Sequence, residues 1–393
     1  MRLILQLLGL LAALAGILIH TADEEDESAR PLKVVVNELS WAAVLLGLVA
    51  AVFGLLLNPR TWVAVISGLA GAGLAAVPLT TYKAAAEDMH SSMRAALGKT
   101  YEDRIPPSMF PRLAQHTWSV PNALGARERT SRARVWRNVT FATSAGQALK
   151  LDIYQPFIPP AAGERYPAII VIHWGGWRNG DKGGYIEPNN RYLASQGYVV
   201  FDIQYRFSGR FPWPAQLDDV QSALAWVRQN AAEHQVDPAR IALMGRSAGG
   251  HLALMAAMCD DAELPLRAVI AIYAPTKLDW DNLAPDSSIT QLIGVPYSQK
   301  PDVYAAASPI HHVRDGLPPI LLVEGMMDTI VPNWHGDELS NRVSLTNTPL
   351  VRLRVPWARH GFDAVTFGLG AQLTQYHIDR FLAWSLYGDP RDA

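Results

Sequence analysis

Cysteine is nearly absent from this 393-residue chain. Cys259 stands alone, so no intramolecular disulfide can staple the fold. An excess of either charge is missing too. The 34 Lys and Arg almost balance the 36 Asp and Glu, and a net charge of −2 excludes a general pull toward nucleic acid. His, Cys and carboxylates form no cluster at ligand spacing, and no glycine-rich phosphate loop follows a strand. Neither a metal nor an organic cofactor is therefore expected. Cys259 lies in the apolar run "ALMAAMCD", which suits a buried structural thiol better than a nucleophile.

Apolar sequence is plentiful but unevenly spread. Leu3–Ile19 is apolar apart from Gln6 and precedes the acidic run Asp23-Glu24-Glu25-Asp26-Glu27. Trp41–Leu57 and Trp62–Leu79 are two further stretches, joined by the turn Asn58-Pro59-Arg60. Each has 17 or 18 residues, near the minimum for crossing a hydrocarbon layer about 30 Å thick. Trp41 and Trp62 lie at segment ends, where indole rings favour the membrane interface. Length, lack of charge and closeness in sequence favour membrane spans over buried core helices.

The first stretch resembles a signal peptide only weakly. Arg2 is its one early basic side chain, and "LIHTADEE" offers no good cleavage site, so an uncleaved helix is favoured. Arg30, Lys33, Lys83 and Arg94 would share one side, with Arg2 and Arg60 on the other. That balance leans toward a multi-pass protein of the bacterial cytoplasmic membrane whose soluble domain is cytoplasmic. Residues 1–80 thus read as a transmembrane region. Residues 81–134 read as a linker against an anionic leaflet, or as an entry segment packed on the domain; Lys83 to Arg137 carries ten Lys/Arg against five Asp/Glu. A chain starting near Ser131 would, on this reading, be soluble and active.

From residue 135 to 388 the pattern is regular. "VTFATSAG" and "QALKLDIYQP" alternate around Ser144-Ala145-Gly146 and predict an antiparallel hairpin. Apolar runs follow at 168–174, 198–203, 240–245, 268–273, 319–325 and 350–355, most of them separated by helical patterns such as Gln216–Asn230. Strands alternating with helices predict a mostly parallel α/β sheet covered on both faces, with chemistry at the strands' C-terminal ends.

Those ends are unusual. The first parallel run ends in His173-Trp174-Gly175-Gly176-Trp177, the third in Gly245-Arg246-Ser247-Ala248-Gly249-Gly250. The fifth runs into Asp328, and His360 follows the last strand. Serine, aspartate and histidine in that order, each just past a strand, match an α/β-hydrolase triad. A serine on a tight strand-to-helix turn needs very small neighbours at ±2, which Gly245 and Gly249 supply. His360 would take the serine proton and Asp328 would orient it. His251 lies in the helix after the serine, His311-His312 precede a strand, and His173 suits loop shaping better than base catalysis.

From about Leu151 to Trp384 the chain resembles the α/β-hydrolase esterase/lipase superfamily, nearest its bacterial feruloyl-esterase-like and hormone-sensitive-lipase-like branches. "IHWGGWRNGDK", "DPARIALMGRSAGGHLA", "SPIHHV", "EGMMDTIVP" and "HGF" carry the likeness in order. The resemblance implies Ser247 as nucleophile, Asp328 as acid and His360 as base, with backbone N–H groups of Gly175, Gly176 and Ala248 as the oxyanion hole. Trp174 replaces the first glycine of the family's HGGG, and either narrows the substrate pocket or packs beneath the loop. The implied function is a membrane-anchored serine hydrolase of small-molecule or lipid carboxylic esters. The rivals are a prolyl-oligopeptidase-like peptidase, whose propeller residues 1–134 are too short and apolar to build, and a non-catalytic hydrolase-fold scaffold. Residues 275–315 are expected to wall the pocket.

Overall fold

The computed structural model describes residues 1–21, 29–57, 61–259, 265–279, 283–284 and 286–388. The acidic run 23–27, the turn 58–60 and residues 280–282 and 285 of the expected pocket wall lie outside them.

Among the described residues five helices open the chain: α1 (Arg2–His20), α2 (Arg30–Glu38), α3 (Ser40–Leu57), α4 (Trp62–Ala75) and α5 (Val77–Leu97). By length and composition three helical stretches suffice to cross a membrane: Arg2–His20, Ser40–Leu57 and Trp62–Leu97, the last formed by α4 and α5 together. Small residues bring α1, α3 and α4 together. A Cβ on Gly68 would lie 2.5 Å from the carbonyl oxygen of Gly47, and one on Gly71 would lie 2.3 Å from the Ala12 backbone. The large side chains point away: Leu3, Leu7, Leu10 and Leu14 of α1 and Leu45, Val52, Leu55 and Leu56 of α3 are all exposed.

Residues 81–134 place several side chains in a core shared with the sheet domain. The helix predicted to stop at Leu79 continues to Leu97, and two short helices, α6 (Val120–Ala123) and α7 (Ala126–Thr130), follow. Met89, Met93, Tyr101, Ile105, Met109 and Leu113 are buried in one cluster with Leu353, Val355, Phe381 and Trp384. The high charge count concealed this. Ala85, Met89 and Met93 recur every four residues and share one helix face, while the intervening polar residues face out.

Eight strands follow: β1 (Ala133–Ser144), β2 (Gln147–Pro156), β3 (Tyr166–Ile172), β4 (Val199–Ile203), β5 (Val236–Arg246), β6 (Ala268–Ile272), β7 (Ile320–Gly325) and β8 (Leu350–Val355). They form one sheet in the order β1-β2-β4-β3-β5-β6-β7-β8. β1–β2 and β2–β4 pair antiparallel, and the rest are parallel. Every expected strand is present, though β1 starts six residues early, β3 two and β5 four. Alternate residues feed opposite cores, Ile170, Ile172 and Leu243 on one face, Ile169, Val171 and Met244 on the other. The covering helices include α8 (Glu187–Ser195), α9 (Ala215–Gln229), α10 (Ala248–Met258), α11 (Ser288–Ile293), α12 (Pro301–Ala306), α13 (Trp334–Val343) and α14 (Leu369–Tyr387).

Two side chains are among those that tie the N-terminal helices to this domain. Glu38 of α2 accepts the backbone N–H of Gly370 at 2.7 Å and of Ala371 at 3.2 Å, capping α14. Arg359 donates to the carbonyls of Ile19 at 3.2 Å and Thr21 at 2.7 Å, at the end of α1.

Candidate active site

Ser247 is the single residue between β5 and α10, with φ 53° and ψ −121°. A side-chain-bearing residue there is strained, and its N–H is held by the Ile272 carbonyl at 2.9 Å. A Cβ on Gly245 would lie 2.0 Å from the Gly249 oxygen, and one on Gly249 would lie 2.2 Å from that of Ile172. The glycines at ±2 are therefore steric necessities of the turn.

The fold brings the other two predicted residues to this serine. His360 Nε2 is 2.9 Å from Ser247 Oγ, and its Nδ1 is 2.7 Å from Asp328 Oδ2. Asp328 follows β7, and its Oδ1 accepts the N–H groups of Ile330 at 2.8 Å and Val331 at 2.9 Å. These bonds aim Oδ2 at the imidazole and satisfy a carboxylate side chain that is 1% exposed.

The glycine pair after β3 adopts a left-handed backbone, with φ 128° at Gly175 and 57° at Gly176. The Gly175 carbonyl accepts the N–H groups of Arg178 at 3.0 Å and Asn179 at 3.1 Å. A Cβ on Gly175 would lie 1.9 Å from the Asn179 oxygen, so no larger residue fits. Two histidines frame the loop. His173 Nδ1 donates to the Trp174 carbonyl at 2.6 Å while its ring stacks on Tyr205 at 4.3 Å. Burial pushes its pKa down to about 4, so it is neutral. His251 accepts from Trp177 Nε1 at 3.2 Å and donates through Nε2 to the Ala307 carbonyl at 2.7 Å. Burial likewise pushes it down to about 4, and it pins the loop to α10. His311 pairs with Asp279 and His312 with the Ala306 carbonyl.

Known proteins resemble this chain in sequence and fold. The family model BD-FAE matches residues 151–343, a range that holds Ser247 and Asp328 and stops short of His360. The protein named "Probable carboxylic ester hydrolase LipM" of Mycobacterium tuberculosis is 28% identical over 313 residues, covering 69% of this chain and 72% of LipM. Esterase LipC of the same organism is 31% identical over 218 residues, or 50% of this chain. The match spans only 53% of LipC. Among solved structures, the apo form of Thermogutta terrifontis esterase 2 superposes with a TM-score of 0.53 at 28% identity, covering 63% of this chain and 91% of that one. The chain belongs to the α/β-hydrolase esterase family. Its class is carboxylic ester hydrolase.

The pocket of this esterase has a volume of about 740 Å³ and opens over Ser247 and His360. Its walls include Trp174, Ser288, Ile289, Ile330, Trp334 and His335, so the expected 275–315 segment does contribute. Trp174 is half-buried and stacks against Tyr185 with centroids 6.4 Å apart. Cys259 is half-buried at the far end of α10, not fully buried as expected, because its helix ends there at the surface.

Sequence reasoning missed a layer beneath the site. Arg246 Nε and Tyr273 Oη both donate to Asp363, each at 2.6 Å, gripping both carboxylate oxygens. The Tyr273 ring lies 4.5 Å from that of His360. The grip fixes the loop that carries His360, three residues before Asp363. Tyr273, with φ 40°, joins Ser247 and Trp177 as strained non-glycine residues lining one pocket, a clustering typical of functional sites. The signal lay in the quoted motifs, where Arg246 precedes the serine and Asp363 follows "HGF". A second omission was Arg30, which comes from α2 and lines the pocket.

Proposed function

We propose that this esterase cleaves carboxylic esters through an acyl-enzyme formed on Ser247. Ser247 Oγ attacks the ester carbonyl while His360 Nε2 takes the hydroxyl proton. Asp328 stays ionised, keeps the Nδ1–H tautomer and stabilises the imidazolium. The N–H groups of Gly175, Gly176 and Ala248 receive the charge that develops on the carbonyl oxygen. Ala248 opens an 11-residue helix, so the helix dipole adds to its N–H there. His360 returns the proton to the departing alkoxide, which leaves as the alcohol. Water, deprotonated by the same imidazole, then releases the acid and restores Ser247.

The observation carrying this reading is the unbroken relay from Asp328 Oδ2 through His360 to Ser247 Oγ, at 2.7 and 2.9 Å. The peptidase alternative loses its usual support, since no strand precedes Ala133 among the described residues. The test is twofold. A fluorophosphonate should label Ser247 in the full chain, and the protein should hydrolyse aryl esters while leaving prolyl peptides intact. Ester turnover without labelling of Ser247, or preference for the peptide, would remove the assignment.

The second part of the proposal is membrane anchoring through α1, α3 and the α4–α5 helix. Its support is the inverted packing, with glycines inside and leucines outside, which suits helices surrounded by lipid. The full chain should stay in membranes through a carbonate wash. Release into the soluble fraction would overturn the anchoring and leave the chemistry untouched.

A further inference from the structure

Proton transfer slows steeply when the base is displaced, so whatever holds the loop of His360 bears on the chemistry. That loop is the connection from β8 to α14, residues 356–368. It lies beyond residue 343, where the family match stops, and elements that precede the match hold it near both ends. At one end is Arg359, the immediate neighbour of His360 and only 2% exposed. Its guanidinium donates to the carbonyls of Ile19 at 3.2 Å and Thr21 at 2.7 Å. The last carbonyls of a helix have no partner within it and carry the negative end of its dipole. A buried guanidinium is well matched to them. At the other end, Glu38 of α2 accepts the N–H groups of Gly370 and Ala371 in the first turn of α14. Between the two, Thr366 donates to Glu128 at 2.6 Å and accepts from Arg127 at 2.5 Å, both on α7.

Within the sheet domain, Asp328 holds the imidazole itself, and Arg246 and Tyr273 hold Asp363 three positions later. Arg359 acts on the position just before the base. We propose that Arg359 is a positioning residue of the hydrolase reaction, setting through its cap on α1 where the loop presents His360. Glu38 closes the far end of the same loop and assists it. The docked N-terminal helices then belong to the working enzyme and are more than its proposed anchor. This rests on the acyl-enzyme reading above and adds to it residues outside the matched family region. His360 serves acylation and deacylation alike, so a displaced imidazole slows both steps together. The kinetic signature is a lower kcat at unchanged KM. Loss of a merely stabilising contact would instead lower the fraction of folded molecules and leave each folded one at full speed.

The experiment uses the full chain in detergent with an aryl butyrate, its active sites counted by fluorophosphonate titration run to completion. Turnover per titrated site removes any change in the folded fraction. Arg359→Gln loses the charge and the reach to both carbonyls. It should lower kcat per site by roughly 10–100-fold, the scale of a misplacement of about 1 Å, with KM within about twofold. Arg359→Lys keeps a cationic donor and should regain most of the loss. Glu38→Ala should lower kcat per site by less, and Glu38→Gln, which keeps an acceptor, should regain it. If kcat per site in Arg359→Gln stays within about twofold of wild type, the proposal is overturned, even where the thermal transition falls. Should that variant yield no titratable sites, Glu38→Ala decides by the same threshold: a larger fall upholds the proposal and a smaller one overturns it. A wild type whose Ser247 takes no fluorophosphonate would remove the underlying reading instead. That failure is distinct, because no sites could then be counted in any of the chains.

Discussion

The two ends of this chain solve the packing problem in opposite ways. In α1, α3 and α4 the contacts are made by Gly47, Gly68, Gly71 and Ala12, and the leucines face out. In the sheet domain the large side chains are inside, with Ile170, Leu243 and Phe201 fully buried, and glycine is kept for turns and close approaches. Water expels leucine and so drives the second pattern. Where the surroundings are as apolar as leucine, only close backbone approach and dispersion remain to hold helices together, and small residues allow both. The contrast is the one that the anchoring proposed above would produce.

The strongest way to break this comparison is to cut between its halves. The sequence suggested that a chain starting near Ser131 would suffice. Removing residues 1–130 would, however, strip Met89, Met93, Tyr101, Ile105, Met109 and Leu113 from the core beneath β8 and α14. It would also leave the N-terminus of α14 without Glu38. The expected outcome is an aggregated, inactive product. A soluble, cooperatively unfolding fragment in circular dichroism would show that the division at Ser131 is real.

Next in size is the chemistry itself. Ser247→Ala should lower kcat by roughly 10⁴–10⁶-fold with the fold retained, and His360→Ala by a similar factor. Asp328→Asn should cost somewhat less, because the imidazole remains but loses its orienting partner. The double and triple variants should be no worse than the worst single one, since the three act in one step. Steady-state kinetics beside the thermal transition of each variant decides this; additive losses would mean that the residues act separately.

The packing contrast predicts opposite signs for opposite substitutions. In the domain, removing bulk is costly: Leu243→Ala should destabilise by about 2–5 kcal/mol, since the residue is fully buried. In the N-terminal helices, adding bulk is costly. Gly68→Leu should destabilise by about 1–3 kcal/mol or more, because its Cβ would lie 2.5 Å from the Gly47 oxygen. Leu10→Ala, on the exposed face, should change stability by less than about 0.5 kcal/mol. Thermal unfolding in detergent measures all three, and a large loss in Leu10→Ala would show that the helices bury leucine after all.

Much of this was legible in the sequence, and what escaped it has a common cause. Strand positions, the hairpin and the meeting of Ser247, Asp328 and His360 follow from local signals: a continuous apolar run, a turn motif, a polar residue at a strand end. Glu38 and Arg30 carry no such signal, and the local signals at Tyr273 and Asp363 do not tell which residues they meet. Asp363 matters because Arg246, 117 positions earlier, reaches it. Glu38 matters because Gly370 of α14, 332 positions later, donates to it. Partnerships at those separations are set by topology, and periodicity does not report them. The charge-rich stretch 83–137 misled in the same way, because net composition averages over the two faces of α5.

Glu38 joins the two regions and offers a smaller, pH-dependent effect. Burial raises its pKa from 4.5 to about 8, against the lowering influence of the Ala371 and Gly370 N–H groups. The folded state therefore holds a proton that the unfolded chain releases near 4.5. Where the folded form binds the extra proton, stability falls as pH rises. The loss should run from about pH 4.5 to about pH 8 and then level off. Glu38→Gln keeps the shape, cannot titrate and should flatten that part of the profile. Denaturant midpoints at pH 5, 6.5 and 8 test it; parallel slopes in wild type and variant would mean that the carboxylate is not the titrating group.

The smallest effect concerns the one place where the site departs from its family pattern. Trp174 stands where a glycine would leave space, and in the structure it both lines the pocket and rests on the core beneath. The two roles predict different kinetics. As a wall, it shortens the acyl group the pocket accepts, so Trp174→Gly should raise kcat/KM for octanoyl relative to acetyl esters by about 10-fold, the scale of one or two methylenes in an apolar slot. As a prop, its loss would loosen Gly175 and Gly176 and lower turnover of every chain length alike. The Trp174 carbonyl that accepts from His173 belongs to the backbone and survives the change, so the loop keeps one of its anchors in the variant. A chain-length panel from acetyl to octanoyl therefore separates the roles: a tilted profile assigns Trp174 to the pocket, and a uniform drop with unchanged profile assigns it to the support of the glycine pair.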